Sequence, residues 1–194
     1  MDTVLTEAED QSLWISFKNG DSQAYAMLYQ RYVRVLYAYG YKLLPDKAII
    51  EDLIQDLFID LWQSRTGLSD VVAPKFYLFR ALRRRIYRIA KQDQQLYKID
   101  LEDSDQLPIS LPKEFYIVEE ESTQRMEQDL ARGLKNLPVR QYEVLILRYY
   151  QDLSYAEIAG ILAINEQSVR NLIHRGLSKL RQLSISLIVL LFLL

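Results

Sequence analysis

Residues 153–175 read LSYAEIAGILAINEQSVRNLIHR, a stretch that predicts two short helices separated by a tight turn. Ser154 followed three residues later by Glu157 forms a capping box, which predicts where the first helix begins. Asn165 is a suitable N-cap for the second helix. The buried face predicted for that second helix consists of Val169, Leu172, Ile173, Gly176 and Leu180. Together these signals predict a helix-turn-helix, a unit that places its second helix in the DNA major groove.

The outer face of this second helix carries side chains suited to base edges and phosphates. The candidate DNA-reading set is Gln167, Ser168, Arg170, Asn171, His174 and Arg175. His174 is the single histidine of the chain, and we expect it to make a phosphate or base contact. Because the chain has one histidine and no cysteine, neither a zinc site nor a disulfide framework is expected, and no cofactor is predicted.

Charge is sorted along the chain. The formal net charge of -2 is unfavourable for a protein that holds DNA unaided, because Lys and Arg supply most non-specific affinity. Residues 71–92 contain seven basic residues and no acidic one, whereas residues 93–121 contain nine carboxylates and two lysines. The sequence therefore predicts a local DNA-binding segment and a partner that assists it.

Helical periodicity extends over most of the chain, and no strand pattern of comparable length appears. A helix capped by Asp21 or Ser22 carries an aromatic-rich stripe predicted to be core, namely Tyr25, Leu28, Tyr29, Tyr32, Leu36 and Tyr39. After Pro45, a second helix places Asp52, Gln55 and Asp56 away from its apolar side. With 194 residues and 49% hydrophobic content, the chain can form one medium core or two small ones.

A third helix, predicted from Lys75 to Lys91, combines an apolar stripe with a basic one. Its cations can follow a phosphate backbone while Tyr77, Tyr87 or Phe76 stacks on unpaired bases, a combination typical of single-stranded DNA binding. The candidate DNA contacts on this helix are Lys75, Tyr77, Arg80, Arg84, Tyr87, Arg88 and Lys91.

The predicted fold is all-α, with two small helical domains joined by an acidic linker and the helix-turn-helix in the second domain. The predicted divisions are a first domain at 1–92, a linker at 93–123, a second domain at 124–183 and an apolar tail at 184–194. From Leu183 onward a helix would reach about 18 Å, short of the roughly 30 Å of a bilayer core. We expect the tail to extend the last helix and to fold back or dimerise; the alternative is a docking site for a regulator or the membrane surface.

From about Gly20 to Leu183 the chain resembles the extracytoplasmic-function sigma factors, small two-domain bacterial initiation factors. The resemblance rests mainly on EDLIQDLF at residues 51–58, followed by Leu61 and Trp62. Gly20-Asp21, Ala24-Tyr25, Leu28-Tyr29 and Tyr32 also match the opening of the family's first domain.

This resemblance implies a cytoplasmic, non-enzymatic factor that binds core RNA polymerase, recognises a two-part promoter and opens it. It implies a polymerase-facing set made of Asp52, Gln55, Asp56, Phe58 and Trp62. The basic helix would read the minus-10 element, with residues 66–74 helping to hold a flipped base. The second helix of the helix-turn-helix would read the minus-35 element, and an anti-sigma factor is an expected partner. Membrane contact would be indirect or through the apolar tail. An acidic start without an apolar run also argues against a secretion signal.

Two residues depart from the family pattern. Leu172 stands where a basic residue is usual, and Ala163 stands where the turn usually has glycine. Because alanine in a left-handed conformation costs on the order of 1 kcal/mol, a differently shaped turn is expected.

Two other functions are compatible with a helix-turn-helix. A stand-alone transcriptional regulator would have a phosphoacceptor domain with alternating strands and helices, which the first half lacks. A DNA-processing enzyme such as a recombinase would need a positioned serine or tyrosine nucleophile among arginines. The tyrosines of this chain lie instead on apolar stripes.

Overall fold

The computed structural model describes residues 7–71, 73–96, 133–134 and 136–192, and it describes the side chains of residues 9–71, 73–91, 133–134 and 136–182. These residues form helices and turns, which confirms the all-α class. The chain divides into two compact units. Residues 97–123 of the predicted linker lie outside the described residues, as do Leu193 and Leu194 of the tail.

The first unit is built from four helices and one 3-10 turn. They are α1 (Glu7–Lys18), α2 (Ser22–Leu43), α3 (Lys47–Gln63), the turn at Arg65–Gly67, and α4 (Pro74–Leu96). The sequence did not predict α1, because only Trp14 and Phe17 among its described side chains form a fully buried apolar pair, too few to establish a period. α1 is joined to α2 at Gly20, whose φ of 93° suits a residue without a side chain.

The predicted cap of α2 is present, and α3 has an N-cap of the same kind at Asp46. The Asp21 carboxylate accepts a 2.8 Å hydrogen bond from the backbone N–H of Gln23, and Asp46 accepts one of 3.0 Å from Ile49. α4 ends at Leu96, five residues beyond the predicted end at Lys91. Residues 93–96 are therefore helix and not linker, because polar residues such as glutamine sustain a helix after its apolar stripe has ended.

The core of the first unit forms where the apolar faces of α2, α3 and α4 meet. Four residues of the predicted stripe of α2, namely Leu28, Tyr32, Leu36 and Tyr39, are buried, whereas Tyr25 and Tyr29 are half-buried. The buried residues of α3 are Ile50, Leu53, Ile54, Leu57, Phe58 and Leu61. Those of α4 are Leu78, Phe79, Leu82, Ile86 and Ala90. One apolar face on each helix leaves the opposite faces for contacts outside the unit.

The second unit contains α5 (Val139–Leu145), a π-helical continuation at Ile146–Tyr150, α6 (Tyr155–Leu162) and α7 (Glu166–Phe192). In the π-helical segment the backbone N–H of Gln151 donates to the carbonyl of Ile146 over 3.0 Å. α7 continues through the backbone of residues 184–192, so the predicted extension of the last helix into the tail is confirmed. The side chains of that extension lie outside the described ones.

Candidate nucleic-acid and protein interfaces

The exposed face of α3 carries the predicted polar group. Asp52, Gln55 and Asp56 are all exposed, while the apolar residues of the same helix point into the core. Their spacing of three and four residues places them on one side of the helix. This acidic and amide surface can accept and donate hydrogen bonds to an arginine-rich partner.

Phe58 does not belong to this surface, so the place in the polymerase-facing set that the resemblance implied for it is wrong. Its side chain is 1% exposed and packs edge-on against the rings of Tyr29 and Tyr25, with centroids 5.0 and 6.1 Å away. The Tyr25 hydroxyl also donates a 2.9 Å hydrogen bond to the Phe58 carbonyl. Burial is the main reason that the pKa of Tyr25 is raised above its ordinary value. Phe58 therefore packs α3 against α2 and is not available to a partner.

Trp62 is half-buried at the end of α3. Its ring lies 5.0 Å from that of Tyr25, and the Arg65 guanidinium carbon lies 4.4 Å from the Trp62 ring centroid. Arg65 Nη1 also donates a 2.8 Å hydrogen bond to the Trp62 carbonyl. The predicted partner contact of Trp62 is thus limited to the part of the ring that its neighbours leave exposed.

Ile59 is the exposed apolar residue of this face, and the sequence analysis missed it. Its side chain is 50% exposed. It follows Asp52 by seven residues and Asp56 by three, so helical geometry places it on the same side. The spacing of Ile59 from the two aspartates is the sequence signal for its position. An aliphatic group flanked by carboxylates gives the face an apolar centre with a polar edge.

A surface cleft of about 540 Å³ lies between α2 and α3. Tyr29, Val33 and Ile54 contribute apolar lining, and Gln55 belongs both to the cleft and to the polar face. The polar face therefore continues into a recess that can take a partner side chain.

Most of the predicted DNA-contacting residues of α4 lie away from its core-facing side. Arg84, Arg88 and Lys91 are exposed, and helical spacing places half-buried Arg80 beside them. Lys75 is also half-buried, but its position in the first turn falls on the side of the core residues. Four of the five predicted cations thus form one continuous basic stripe, which suits a phosphate backbone.

The two candidate tyrosines of α4 already pack against protein groups. The Tyr77 and Trp14 rings lie 5.1 Å apart, and the Arg83 guanidinium carbon lies 4.3 Å from the centroid of Tyr87. Arg85 also interacts with another protein group, because its Nη2 lies 2.7 Å from a carboxylate oxygen of Asp60 on α3 and forms an ion pair with it. The structure therefore gives Tyr77 and Tyr87 a packing role in addition to the predicted contact with bases.

The predicted outer face of α7 is present in the second unit. Gln167, Arg170, Asn171, His174 and Arg175 are exposed. Ser168 is half-buried, and its backbone N–H donates a 2.7 Å hydrogen bond to the Asn165 side chain, which confirms that N-cap. On the inner face Val169, Ile173 and Gly176 are buried as expected, whereas Leu172 and Leu180 are only half-buried.

Several outer-face side chains of α7 are ordered by their neighbours. Arg170 Nη2 lies 3.0 Å from the Glu166 carboxylate, and its guanidinium carbon lies 5.3 Å from the Tyr155 ring centroid. Gln167 donates a 3.2 Å hydrogen bond to Asn171. Groups that are already oriented lose less conformational entropy when they meet a base edge or a phosphate. Leu177, 41% exposed and three residues beyond His174, extends this face and was not predicted.

The turn between α6 and α7 keeps a left-handed residue without using glycine. Ala163 has φ 55° and ψ 43° and forms the C-cap of α6. The expectation of a differently shaped turn is therefore wrong. The strained backbone conformation is at Ala163, and the backbone N–H of this residue donates a hydrogen bond to the Ala159 carbonyl. At the other end of α6, Ser154 and Glu157 form the predicted capping box.

The described residues contain no group of three or more histidine, cysteine or acidic side chains that could hold a metal ion. Within that same part of the chain, every helix is too short or too polar to cross a membrane.

Both units match a known family. Residues 28–95 match the family described as Sigma-70 region 2, and residues 127–180 match the one described as Sigma-70, region 4. The chain belongs to the sigma-70 family. Similarity to several extracytoplasmic-function sigma factors places it in that group and gives it the function of an RNA polymerase sigma factor. This membership decides against the stand-alone regulator and the recombinase. Sigma factors are DNA-binding initiation factors that bind core RNA polymerase and are not enzymes.

The similarity to individual sigma factors extends over most of the chain. The chain is 25% identical to the ECF RNA polymerase sigma factor SigK of Mycolicibacterium vanbaalenii, over 92% of this chain and 90% of that protein. It is 27% identical to the ECF RNA polymerase sigma factor SigW of Bacillus subtilis, over 85% of this chain and 91% of that protein.

Solved structures share the fold. CnrH in complex with the cytosolic domain of CnrY matches with a TM-score of 0.61 and 19% identity, covering 91% of this sigma factor and 97% of CnrH. The sigma factor RpoE in complex with the anti-sigma factor NepR from Bartonella quintana matches with a TM-score of 0.57 and 21% identity. The match covers 81% of this sigma factor and 94% of RpoE.

Proposed function

We propose that this sigma factor binds core RNA polymerase through the exposed face of α3 formed by Asp52, Gln55, Asp56 and Ile59. The observation that carries this proposal is the separation of charge within the first unit. α3 presents carboxylates and an amide around an exposed isoleucine, whereas the basic stripe lies on α4. A protein that must hold a polymerase subunit and DNA at once needs two such surfaces of opposite charge.

The basic stripe of α4 and the preceding loop would read and melt the minus-10 element. Arg80, Arg84, Arg88 and Lys91 provide cations along one helix side, and Tyr77 and Tyr87 lie on either side of Arg84. Cations combined with aromatic rings favour single-stranded DNA, because each unpaired base offers a face for stacking. Residues 1–92 are accordingly assigned to polymerase binding and minus-10 recognition.

The outer face of α7 would read the minus-35 element in duplex DNA. Arg170, Asn171 and Gln167 carry the side-chain types that pair with guanine and adenine edges in the major groove. His174 and Arg175 are suited to phosphates or bases on the following turn. Residues 124–183 form the second functional domain in this proposal, and residues 97–123 connect it to the first.

Three further properties follow from this role. Because core RNA polymerase is the partner, we place the protein in the cytoplasm and assign it no catalytic activity of its own. An anti-sigma factor is the expected regulator, by analogy with the Bartonella quintana RpoE complex. Any membrane contact would be indirect or through the apolar tail.

The deciding experiment is transcription with purified components. The chain is combined with sigma-free core polymerase on a library of promoter fragments, beside an Asp52→Arg/Asp56→Arg variant. Gln23→Arg serves as the control, because Gln23 is an exposed residue of α2 and the substitution adds a positive charge outside the α3 face. We expect initiation by the unaltered protein and the control, and loss of initiation in the double variant.

Two outcomes would contradict the proposal. Full activity of the double variant would remove the α3 face as the polymerase surface. A folded protein that binds duplex DNA alone and never initiates with core would favour a stand-alone regulator.

A further inference from the structure

The loop between α3 and α4, described at residues 64–71 and 73 and here called the reading loop, is fixed at both ends. At its start the Ser64 hydroxyl donates a 2.6 Å hydrogen bond to the Asp60 carbonyl. At its end the Ala73 carbonyl accepts a 3.1 Å bond from the backbone N–H of Phe76. These bonds fix where the loop leaves α3 and enters α4, but they leave the shape of its middle to other contacts.

The middle of the reading loop is held by α1. The indole Nε1 of Trp14 donates a 3.3 Å hydrogen bond to the Ser69 carbonyl, and the Lys18 ammonium is ion-paired with Asp70. Trp14 is fully buried, so its N–H has a fixed direction. The Lys18 side chain is 18% exposed whereas that of Asp70 is 77% exposed, so the lysine stem packs against protein while its charge reaches the loop.

α1 also contacts the two helices that flank the reading loop. The Trp14 ring lies 5.1 Å from that of Tyr77 in the first turn of α4, and the Phe17 ring lies 6.2 Å from that of Trp62 near the end of α3. One short helix thus touches the end of α3, the middle of the loop and the start of α4. α1 precedes residue 28, where the match to Sigma-70 region 2 begins.

The reading loop has room for a ligand on its outer side. Thr66, Gly67, Ser69 and Asp70 are exposed, and a side-chain carbon built on Gly67 would meet no atom within 4 Å. Loop residues recognise a base only when they are held close to the productive geometry by surrounding contacts. If the loop moved freely, the entropic cost of ordering it would weaken the binding of the preferred base and of competing bases alike.

We propose that α1 sets the base preference at the minus-10 element, with Trp14 and Lys18 acting as positioning residues through Ser69 and Asp70. This inference rests on the proposed promoter function of the first unit. It adds a specificity-determining role for a helix whose residues would not themselves read the DNA.

The test measures base preference and activity separately. Trp14→Phe keeps an aromatic ring but removes the N–H donor, and Lys18→Met keeps the stem but removes the charge. Each variant is assayed with core polymerase on promoters randomised in the minus-10 element and, in a second library, in the minus-35 element. Lys47→Met is the matched control, because it removes another lysine–carboxylate pair of this unit that lies away from the loop.

We expect the ratio of initiation on the best and worst minus-10 bases to fall by about fivefold in both α1 variants. The minus-35 preference and the affinity for core should stay unchanged, because α7 and the α3 face are untouched. Lys47→Met should retain both preferences. The charge exchange Lys18→Asp with Asp70→Lys should restore the minus-10 preference, a rescue that a general loss of stability would not give.

Amide hydrogen exchange gives a second readout on the folded protein. Exchange at residues 65–71 should be faster in Lys18→Met than in the control, with protection in the core of α3 unchanged. An unaltered minus-10 preference in active Trp14→Phe and Lys18→Met proteins would overturn this inference alone. Failure of the unaltered protein to initiate on any template would overturn the proposed function, and with it the promoter role of α1.

Discussion

At the scale of single residues, Ala163 has the most consequential backbone conformation. Its left-handed φ of 55° is one that glycine adopts without a steric penalty. Ala163→Gly should therefore raise the free energy of unfolding by about 1 kcal/mol, since relief of strain outweighs the added freedom of the unfolded chain. Urea denaturation followed by circular dichroism measures the change.

Ala159→Gly is the control for this substitution. Ala159 lies inside α6, where glycine should lower the free energy of unfolding by about 1 kcal/mol. Opposite signs for two identical substitutions four residues apart would establish the left-handed turn. A loss of stability in both would show that Ala163 is not left-handed in solution.

Substitutions at two adjacent residues of α3 should affect different properties, one the stability of the fold and the other the affinity for polymerase. Phe58→Ala removes a fully packed ring and should cost about 3–5 kcal/mol of stability. Ile59→Ala should change stability by less than about 0.5 kcal/mol and weaken core binding by about 1 kcal/mol or more. Thermal unfolding and a titration with fluorescent core polymerase measure the two quantities. Unchanged core affinity for Ile59→Ala would remove Ile59 from the interface.

At the scale of secondary-structure elements, α4 should bind DNA through its basic stripe and not through every arginine. Arg84→Ala and Arg88→Ala should each lower the salt slope of minus-10 single-strand binding by about 0.7. The measurement is the affinity of the polymerase complex for that strand at several salt concentrations. Arg85→Ala should have a much smaller effect, because Arg85 is paired with Asp60. A slope change at Arg85 as large as that at Arg84 would contradict the assignment.

Local signals were sufficient to predict the caps and most helix faces. The capping box at Ser154, the N-cap at Asn165 and the buried stripe of α2 depend on residues within a few positions of one another. Phe58 was misplaced because the family resemblance implied a polymerase-facing role for it, whereas helical periodicity groups it with the apolar residues of α3. α1 was missed because its two buried aromatic residues do not make a repeating pattern.

Contacts between distant elements could not be predicted in this way. The Arg85–Asp60 pair joins residues 25 positions apart, and the Lys18–Asp70 pair joins residues 52 positions apart. Each depends on how helices pack, and no local pattern encodes that arrangement. The basic stripe of α4 was therefore predictable, whereas the positioning of the reading loop by α1 was not.

At the scale of the whole molecule, a net charge of -2 limits what the chain can bind alone. We expect its affinity for duplex promoter DNA without polymerase to be no tighter than about 10⁻⁵ M at physiological salt. Addition of core should raise the affinity strongly, because polymerase contributes its own contacts. Fluorescence anisotropy with and without core tests this expectation. Tight, sequence-specific binding by the isolated chain would contradict it.

The apolar end of α7 should be dispensable for promoter recognition. The candidate DNA-reading residues, 167–175, occupy the first turns of a helix that continues to Phe192. Deletion of residues 185–194 should therefore leave promoter selection by the polymerase complex intact, as measured on the minus-35 library. Loss of folding on truncation would show that the tail belongs to the core of the second unit.

The π-helical segment at Ile146–Tyr150 has a consequence for how the second unit tolerates changes in length. Each residue of an α-helix turns the chain by about 100°, so one residue gained or lost redirects all that follows. The wider π turn absorbs an additional residue before the helix-turn-helix begins. A one-residue deletion there would keep every DNA-facing side chain of α7. It would nevertheless change the direction in which the chain leaves the π-helical segment after α5. The orientation of α7 therefore depends on the number of residues in the π-helical segment, independently of which side chains α7 presents to DNA.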